Sequence, residues 1–288
     1  MRLLSALLLC CLIVCPAAGQ TVEEIRSHVE YLASDELGGR YPASDGMQKA
    51  KDYVRDECKK LGLKTYTQDV NTSAGVCQNV IAVLPGERDD LRIVFSAHLD
   101  HLGKNRRGVY NGADDNASGS AAVLALAKQA SQQKLGCTIE FIWYTGEEMG
   151  LLGSKMYVSR PLVDIESYKL VLNLDMVGKL ENTGLLGDTG FPYTDVIDDL
   201  QTRHPFSQGL IYWGSGSDHR SWQNKDVPAL TLNTGLHRDY HTPRDTADKL
   251  NYDGILKICW YAMDFAREVD MKLVPNLDVE DPPSYILR

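Results

Sequence analysis

The chain has 288 residues, of which 43% are hydrophobic and 24% are charged, the composition of an ordinary globular protein. Its formal net charge of −9 at pH 7 argues against partners such as nucleic acid or anionic lipid. The length is normal for a single α/β domain, and the sequence has no evident repeat or interdomain linker.

The first nineteen residues have the pattern of a cleaved signal peptide. Arg2 supplies a positive charge, an apolar stretch follows over residues 3–14, and small residues end the segment at Gly19. About twelve apolar residues are too few to cross a bilayer, so stable membrane insertion is not expected. The pattern predicts a secreted or periplasmic protein beginning at Gln20. A lipoprotein anchor is less favoured, because bulky residues precede each cysteine of the leader.

Helical spacing of apolar residues follows in several segments. It predicts helices over residues 22–32, 45–61, 117–130, 193–203 and 252–269, and the start of another at 150. Asp45 is a suitable cap for the second helix, and Gly62 is a suitable residue to end it. The tail over residues 275–288 is rich in proline and acid and is expected to be irregular.

Apolar and alternating runs predict strands between these helices. They cover residues 64–70, 79–84, 92–97, 138–144, 168–174 and 227–233. Strands that alternate with helices imply an α/β fold with a sheet covered on both faces. Four cysteines lie outside the leader, and since none forms a CxxC pair, buried free thiols are the favoured interpretation.

Polar side chains follow three of the predicted strands directly. His98, Glu147–Glu148 and Asp175 each come just after an apolar run. Ligands in open α/β sheets bind beyond the carboxyl ends of strands, so these side chains are expected at one edge. Imidazole and carboxylate without thiol suit zinc, with cobalt or manganese as substitutes. A two-metal site also needs a shared carboxylate and a base for the attacking water.

His98 and the polar triplet over residues 114–116 suggest ligands but leave alternatives open. Asp100, two residues after His98, is placed to accept a hydrogen bond from the other ring nitrogen, and His101 is a rival ligand. Asp114 follows the glycine turn at Gly112, and a carboxylate held on such a turn can bridge two ions. The alternative is that Asp114, Asp115 and Asn116 simply cap the next helix; capping would explain part of this triplet and bridging one member of it.

The remaining candidates complete the set of roles. Adjacent glutamates point in different directions, so one of Glu147 and Glu148 can bind metal while the other acts as general base. Asp175 is costly at the end of an apolar strand unless it is paired or bound to metal. His241 is a further ligand, with the nearby His237 as competitor. Tyr240 either donates a hydrogen bond to a developing oxyanion or simply packs.

Together these segments closely resemble the M28 family of dinuclear zinc aminopeptidases. The motifs that carry the resemblance cover residues 39–46, 97–100, 111–119, 145–148, 173–176 and 240–246. The resemblance implies a three-layer αβα sandwich around a mixed, mainly parallel sheet. It further implies a single catalytic domain over residues 20–288, without the protease-associated insert that many relatives carry.

The resemblance also implies roles at matching positions. Asp114 would bridge two Zn²⁺ ions, His98 and Asp175 would complete one site, and Glu148 and His241 the other. Glu147 would be the base, with Asp100 behind His98. The expected activity is the removal of N-terminal residues from peptides with a free N-terminus. No oligomeric state is predicted.

Three other functions remain as alternatives. Glutaminyl cyclases of the same superfamily use one zinc and form pyroglutamate, and residues 214–219 resemble a segment found in both branches. A carboxypeptidase would need a cation for the substrate carboxylate, and Arg220, Arg238 and Arg244 lie near suitable segments. A binding-only relative would lack ligands, whereas here the full set is present.

Overall fold

The computed structural model describes residues 21–180, 192–207 and 216–275. The predicted signal peptide and residues 276–288 of the tail lie outside these ranges. No helix within them is both long and apolar enough to cross a membrane.

A six-stranded sheet forms the centre of the described fold. Its strands are β1 (Lys64–Thr72), β2 (Gly75–Leu84), β3 (Arg88–His98), β6 (Cys137–Tyr144), β7 (Tyr168–Leu174) and β8 (Ala229–Leu232). They lie side by side in the order β1-β2-β6-β3-β7-β8. β2 pairs antiparallel with β1 and with β6, and the pairs from β6 to β8 are parallel. The short strands β4 (Lys104–Asn105) and β5 (Gly108–Val109) form a separate ribbon.

Helices cover both faces of this sheet. They are α1 (Val22–Leu32), α2 (Asp45–Lys60), α3 (Gly119–Ala130), α4 (Leu152–Ser159), α5 (Thr194–Arg203), α6 (His219–Gln223) and α7 (Tyr252–Leu273). A π-helical turn, Ala113–Ser118, leads into α3. The helix predicted to begin at 150 begins at Leu152, and α6 and the ribbon were not predicted. Ser44, rather than Asp45, caps α2, since its hydroxyl accepts the Met47 amide at 3.1 Å.

Successive side chains of the central strands point to opposite faces of the sheet, so the core consists of two layers. Phe95 of β3 and Phe141 of β6 stack at 5.9 Å between ring centroids in the larger layer, which includes α1, α2, α3 and α7. Val94, the neighbour of Phe95, points into the smaller layer beneath α4 and α6. The three-layer αβα arrangement predicted from the resemblance is therefore present in the described residues. All four cysteines in these ranges are buried and free, as predicted.

Parallel strands bring the candidate residues to one edge. β3 ends at His98, β6 ends at Tyr144 just before the two glutamates, and β7 ends at Leu174 just before Asp175. β3 pairs with β6 on one side and with β7 on the other, so their carboxyl ends are adjacent. The expectation that three strands deliver polar groups to the same edge is confirmed by this topology.

Candidate metal centre

Asp115 lies at the middle of the cluster at this edge. Its Oδ1 atom is 3.3 Å from Nε2 of His98, and its Oδ2 atom is 3.0 Å from Nε2 of His241. The side chain is 5% exposed. Although burial opposes its ionisation, the histidines around it hold the pKa of Asp115 well below its usual range. The two oxygens of one buried carboxylate therefore face two different groups of side chains.

Asp175 completes the group on the Oδ1 side. Its Oδ1 atom lies 3.3 Å from Nε2 of His98. Ligand atoms of His98, Asp115 and Asp175 all lie within 4.8 Å of one another. On the His98 ring, Nδ1 is 3.1 Å from the backbone carbonyl of Asp100, which fixes the ring orientation and leaves Nε2 directed into the cluster.

Glu148 and His241 form the group on the Oδ2 side. Nε2 of His241 lies 3.3 Å from Oε1 of Glu148, and Nδ1 of His101 lies 2.8 Å from the same oxygen. Burial lowers the pKa of His241, but the carboxylates of Asp115 and Glu148 raise it to about 10. A cation held at this point would replace that proton, because a ligating imidazole is deprotonated.

Asp114, the predicted bridge, is turned away from the cluster. Its Oδ1 atom accepts the Gly178 amide at 2.7 Å, and its Oδ2 atom lies 3.1 Å from Nε2 of His237. The backbone leaves regular helical geometry at Asp115, so the two adjacent carboxylates point in different directions. The geometry corrects the sequence expectation by one residue, since Asp115, not Asp114, lies between the two groups. It also places His237 with Asp114 and not in the cluster.

Asp100 has a different partner from the one expected. Its carboxylate accepts the backbone amide of Glu147 at 3.1 Å and that of Glu148 at 3.4 Å. The imidazole of His98 contacts the carbonyl of Asp100, not its side chain. Asp100 therefore positions the glutamate pair, and the histidine is oriented by the backbone.

Glu147 lies close enough to His98 and Asp175 to interact with their charges. Burial raises the pKa of Glu147 well above its usual range, His98 lowers it, and the nearby carboxylates of Asp218 and Asp175 raise it further. Burial likewise raises the pKa of the fully buried Asp218 to about 7. Tyr240 stacks on the His241 ring at 3.8 Å between centroids, which holds that imidazole in place.

The donor set fits zinc. Both groups consist of imidazole nitrogen and carboxylate oxygen, and no described cysteine belongs to either. Three carboxylates so close together in a buried place are unfavourable without a cation. The ring atom Nε2 of His241 lies 3.0 Å from Oδ2 of Asp115 and 3.3 Å from Oε1 of Glu148, so an ion at this point would have a nitrogen and two carboxylate oxygens around it.

Comparison with known proteins identifies the group to which this arrangement belongs. Residues 79–266 match the model of peptidase family M28. A relative from Trichophyton verrucosum, named a probable leucine aminopeptidase, is 32% identical over 266 residues, which cover 86% of this chain and 73% of the relative. The chain belongs to peptidase family M28. Two further relatives with that printed name, from Arthroderma otae and Arthroderma benhamiae, are each 32% identical over 206 residues, which cover 66% of this chain and 57% of each relative.

Solved structures show the same fold as this M28 chain. A zinc aminopeptidase from Bacillus subtilis aligns with a TM-score of 0.77 at 15% identity, over 86% of this chain and 95% of that protein. A glutaminyl cyclase from Porphyromonas gingivalis aligns with a TM-score of 0.74 at 19% identity, over 86% of this chain and 98% of that protein. The predicted fold class and the predicted peptide hydrolase are confirmed. The family match favours the peptidase over the cyclase.

Arg40 is an M28-motif residue whose role the sequence did not reveal. Its fully buried guanidinium donates to four backbone carbonyls, those of Leu32, Leu99, Asn111 and Gly112, at 2.5–3.0 Å. Burial lowers the pKa of Arg40 to about 10, while Asp115 and other nearby carboxylates raise it. Arg40 thus joins the loop after β3 to the loop that carries Asp115. No composition or spacing signal distinguishes such an arginine from a surface one.

We expect Arg40→Ala to destabilise the protein strongly. The change leaves four carbonyls unpaired in the interior and removes a buried cation that interacts with the charge of Asp115, at a cost of about 3 kcal/mol or more. A loss of this size corresponds to about 6–12 °C in a protein of this length, measurable by thermal unfolding. Arg106→Ala, on the exposed ribbon turn, serves as the control and should leave the midpoint unchanged. An unchanged midpoint in Arg40→Ala would contradict this role.

Proposed function

We propose that this M28 chain is an aminopeptidase that binds two zinc ions and shares Asp115 between them. The observation that carries the proposal is the position of Asp115, whose two oxygens face different ligand groups at 3.3 and 3.0 Å. His98 and Asp175 would hold one ion, and Glu148 and His241 the other. Cobalt or manganese are expected to substitute, since the ligands are nitrogen and oxygen only.

The two glutamates are assigned different roles because their contacts differ. Glu148 lies 3.3 Å from His241 and belongs to the Oδ2 group, whereas Glu147 has no place in either metal-binding group of the described residues. When bound, zinc supplies Lewis acidity to the scissile carbonyl and to the attacking water. Glu147 would take a proton from that water and return it to the leaving amine.

The raised pKa of Glu147 supports the role of general base. A carboxylate with an ordinary pKa holds a proton too weakly to transfer it near neutral pH. Burial, together with the nearby carboxylates, raises the pKa of Glu147 and so makes the transfer easier. Asp100 holds the backbone amides of both glutamates, so their side chains keep a fixed relation. For Tyr240, whose ring supports His241, we propose a hydrogen bond from its hydroxyl to the developing oxyanion.

The proposed substrates are peptides with a free N-terminus, acted on outside the cytoplasm. The signal-peptide pattern of residues 1–19 supports export, and the printed names of the relatives support the aminopeptidase class. We further propose that residues 20–288 form one catalytic domain. Only three residues separate β2 from β3, which supports the absence of an inserted domain at that point.

The first experiment is a metal analysis of the purified protein combined with parallel substrate assays. We expect about two zinc ions per chain, release of the first residue from aminoacyl-nitroanilides, and no cleavage once the N-terminus is acetylated. One zinc with ammonia release and pyroglutamate formation from glutaminyl peptides would establish the cyclase instead. Release of C-terminal residues from acetylated peptides would establish the carboxypeptidase.

A further inference from the structure

His101 is a buried imidazole beside the proposed ligands that has no role in the mechanism above. Its Nδ1 atom lies 2.8 Å from Oε1 of Glu148 and 3.7 Å from Oδ2 of Asp115. Its side chain is 0% exposed. Ligand atoms of these three residues also lie within 4.8 Å of one another. The position therefore allows two roles, a further ligand or a hydrogen-bond donor to Glu148.

The surroundings of the ring fix its direction. A Cβ atom on Gly112 would come within 2.5–2.6 Å of the His101 ring, so only glycine leaves room for the imidazole there. The backbone amide of His101 donates to the carbonyl of Arg40 at 3.2 Å, and the His241 ring packs edge-on at 5.7 Å between centroids. Because these contacts already hold the His101 ring from three sides, the hydrogen bond from Nδ1 to Glu148 costs little additional side-chain entropy.

The far nitrogen of the ring decides between the two roles. Nε2 of His101 is buried and has no hydrogen-bond partner within the described ranges. A histidine that binds metal through Nδ1 carries its proton on Nε2 and normally donates it to an acceptor. In protein interiors, a buried N–H group without an acceptor is rarer than a buried acceptor without a donor. The proton therefore belongs on Nδ1, where Glu148 accepts it at 2.8 Å.

We propose that His101 is a positioning residue that holds Glu148 in its metal-binding orientation by donating a hydrogen bond from Nδ1. The inference rests on the proposed two-zinc site and deepens it. The hydrogen bond limits rotation of the Glu148 carboxylate. Removing a residue that hydrogen-bonds to a metal ligand in this way is expected to weaken metal affinity by about 10- to 100-fold.

Two substitutions separate the roles. His101→Asn keeps an N–H donor close to the position of Nδ1 but provides no ring nitrogen for a metal. His101→Leu removes the donor at similar size, and His101→Gln, whose amide reaches the position of Nε2, replaces it where the leucine variant fails to fold. Zinc affinity is measured by competition with a chromophoric chelator, and the visible spectrum of the cobalt-loaded protein reports the ligand set.

We expect one of the two zinc-binding steps to weaken by about 10- to 100-fold in His101→Leu and by less than about threefold in His101→Asn. The cobalt spectrum of His101→Asn should match that of the wild type. Equal weakening in both variants, with an altered cobalt spectrum, would make His101 a ligand and overturn the proposal. Wild-type affinity in His101→Leu would overturn it too, with the two-zinc site intact. A wild-type protein that binds no zinc would remove the proposed function as well.

Discussion

We expect Asp115→Asn to lose zinc and with it nearly all peptidase activity. The amide keeps the size of the side chain but has one oxygen and no charge, so it cannot supply an anionic oxygen to both the His98 and the His241 sides. Replacing a residue that only hydrogen-bonds to a metal ligand costs up to ~100-fold in activity, and we expect the loss of turnover in Asp115→Asn to be larger. Metal analysis after dialysis and the rate on an aminoacyl-nitroanilide measure the two effects.

Asp114→Asn is the matched control for this prediction. It makes the same chemical change one residue earlier, at a carboxylate that contacts His237 and Gly178 instead of the cluster. We expect zinc content to be retained and stability to fall by about 1–3 kcal/mol, because a buried partner of His237 loses its charge. Loss of zinc in Asp114→Asn together with full occupancy in Asp115→Asn would restore the bridge predicted from the sequence.

Glu147→Gln should reduce turnover by about 10²- to 10⁴-fold while both zinc ions stay bound. The amide is isosteric with the carboxylate and cannot accept a proton from water near neutral pH. Its neighbour provides the control, since Glu148→Gln is expected to lower zinc content as well as the rate. Both variants are compared by metal analysis and by kcat and KM on the same substrate.

The outcome that contradicts the role of Glu147 is a near-normal rate in Glu147→Gln. Loss of zinc in that variant would instead place Glu147 among the ligands. Because Asp100 holds the amides of both glutamates, neither substitution removes the contact that positions this turn. The two variants therefore differ only in which side chain has changed.

The sequence predicted the strands of the sheet and the edge at which the site lies. Periodicity depends on local residue spacing, so runs such as residues 138–144 were recognisable as a buried strand without further information. The strand boundaries were less accurate. β2 begins at Gly75 and not at residue 79, because the tight turn after Thr72 continues the pairing of the hairpin beyond its apolar part.

The sequence did not reveal which members of a polar run face the site. Asp114 and Asp115 are chemically identical neighbours, and only the backbone geometry of their turn decides which one faces His98 and His241. The contacts of Asp245 could not be predicted from the sequence either. Its carboxylate accepts the amides of Asp114 and Asp115 at 3.0–3.1 Å from a position 130–131 residues away, a contact that no local pattern encodes.

The residue types, their order and their places at strand ends were thus determined by the sequence alone, and they sufficed for the chemistry and the family. The tertiary structure decided the partners. It assigned the amides of the glutamate pair to Asp100, the carbonyls of two loops to Arg40, and Glu148 to His101. The physical reason is that hydrogen-bond partners depend on backbone direction and burial. Both are fixed only when segments distant in sequence pack together.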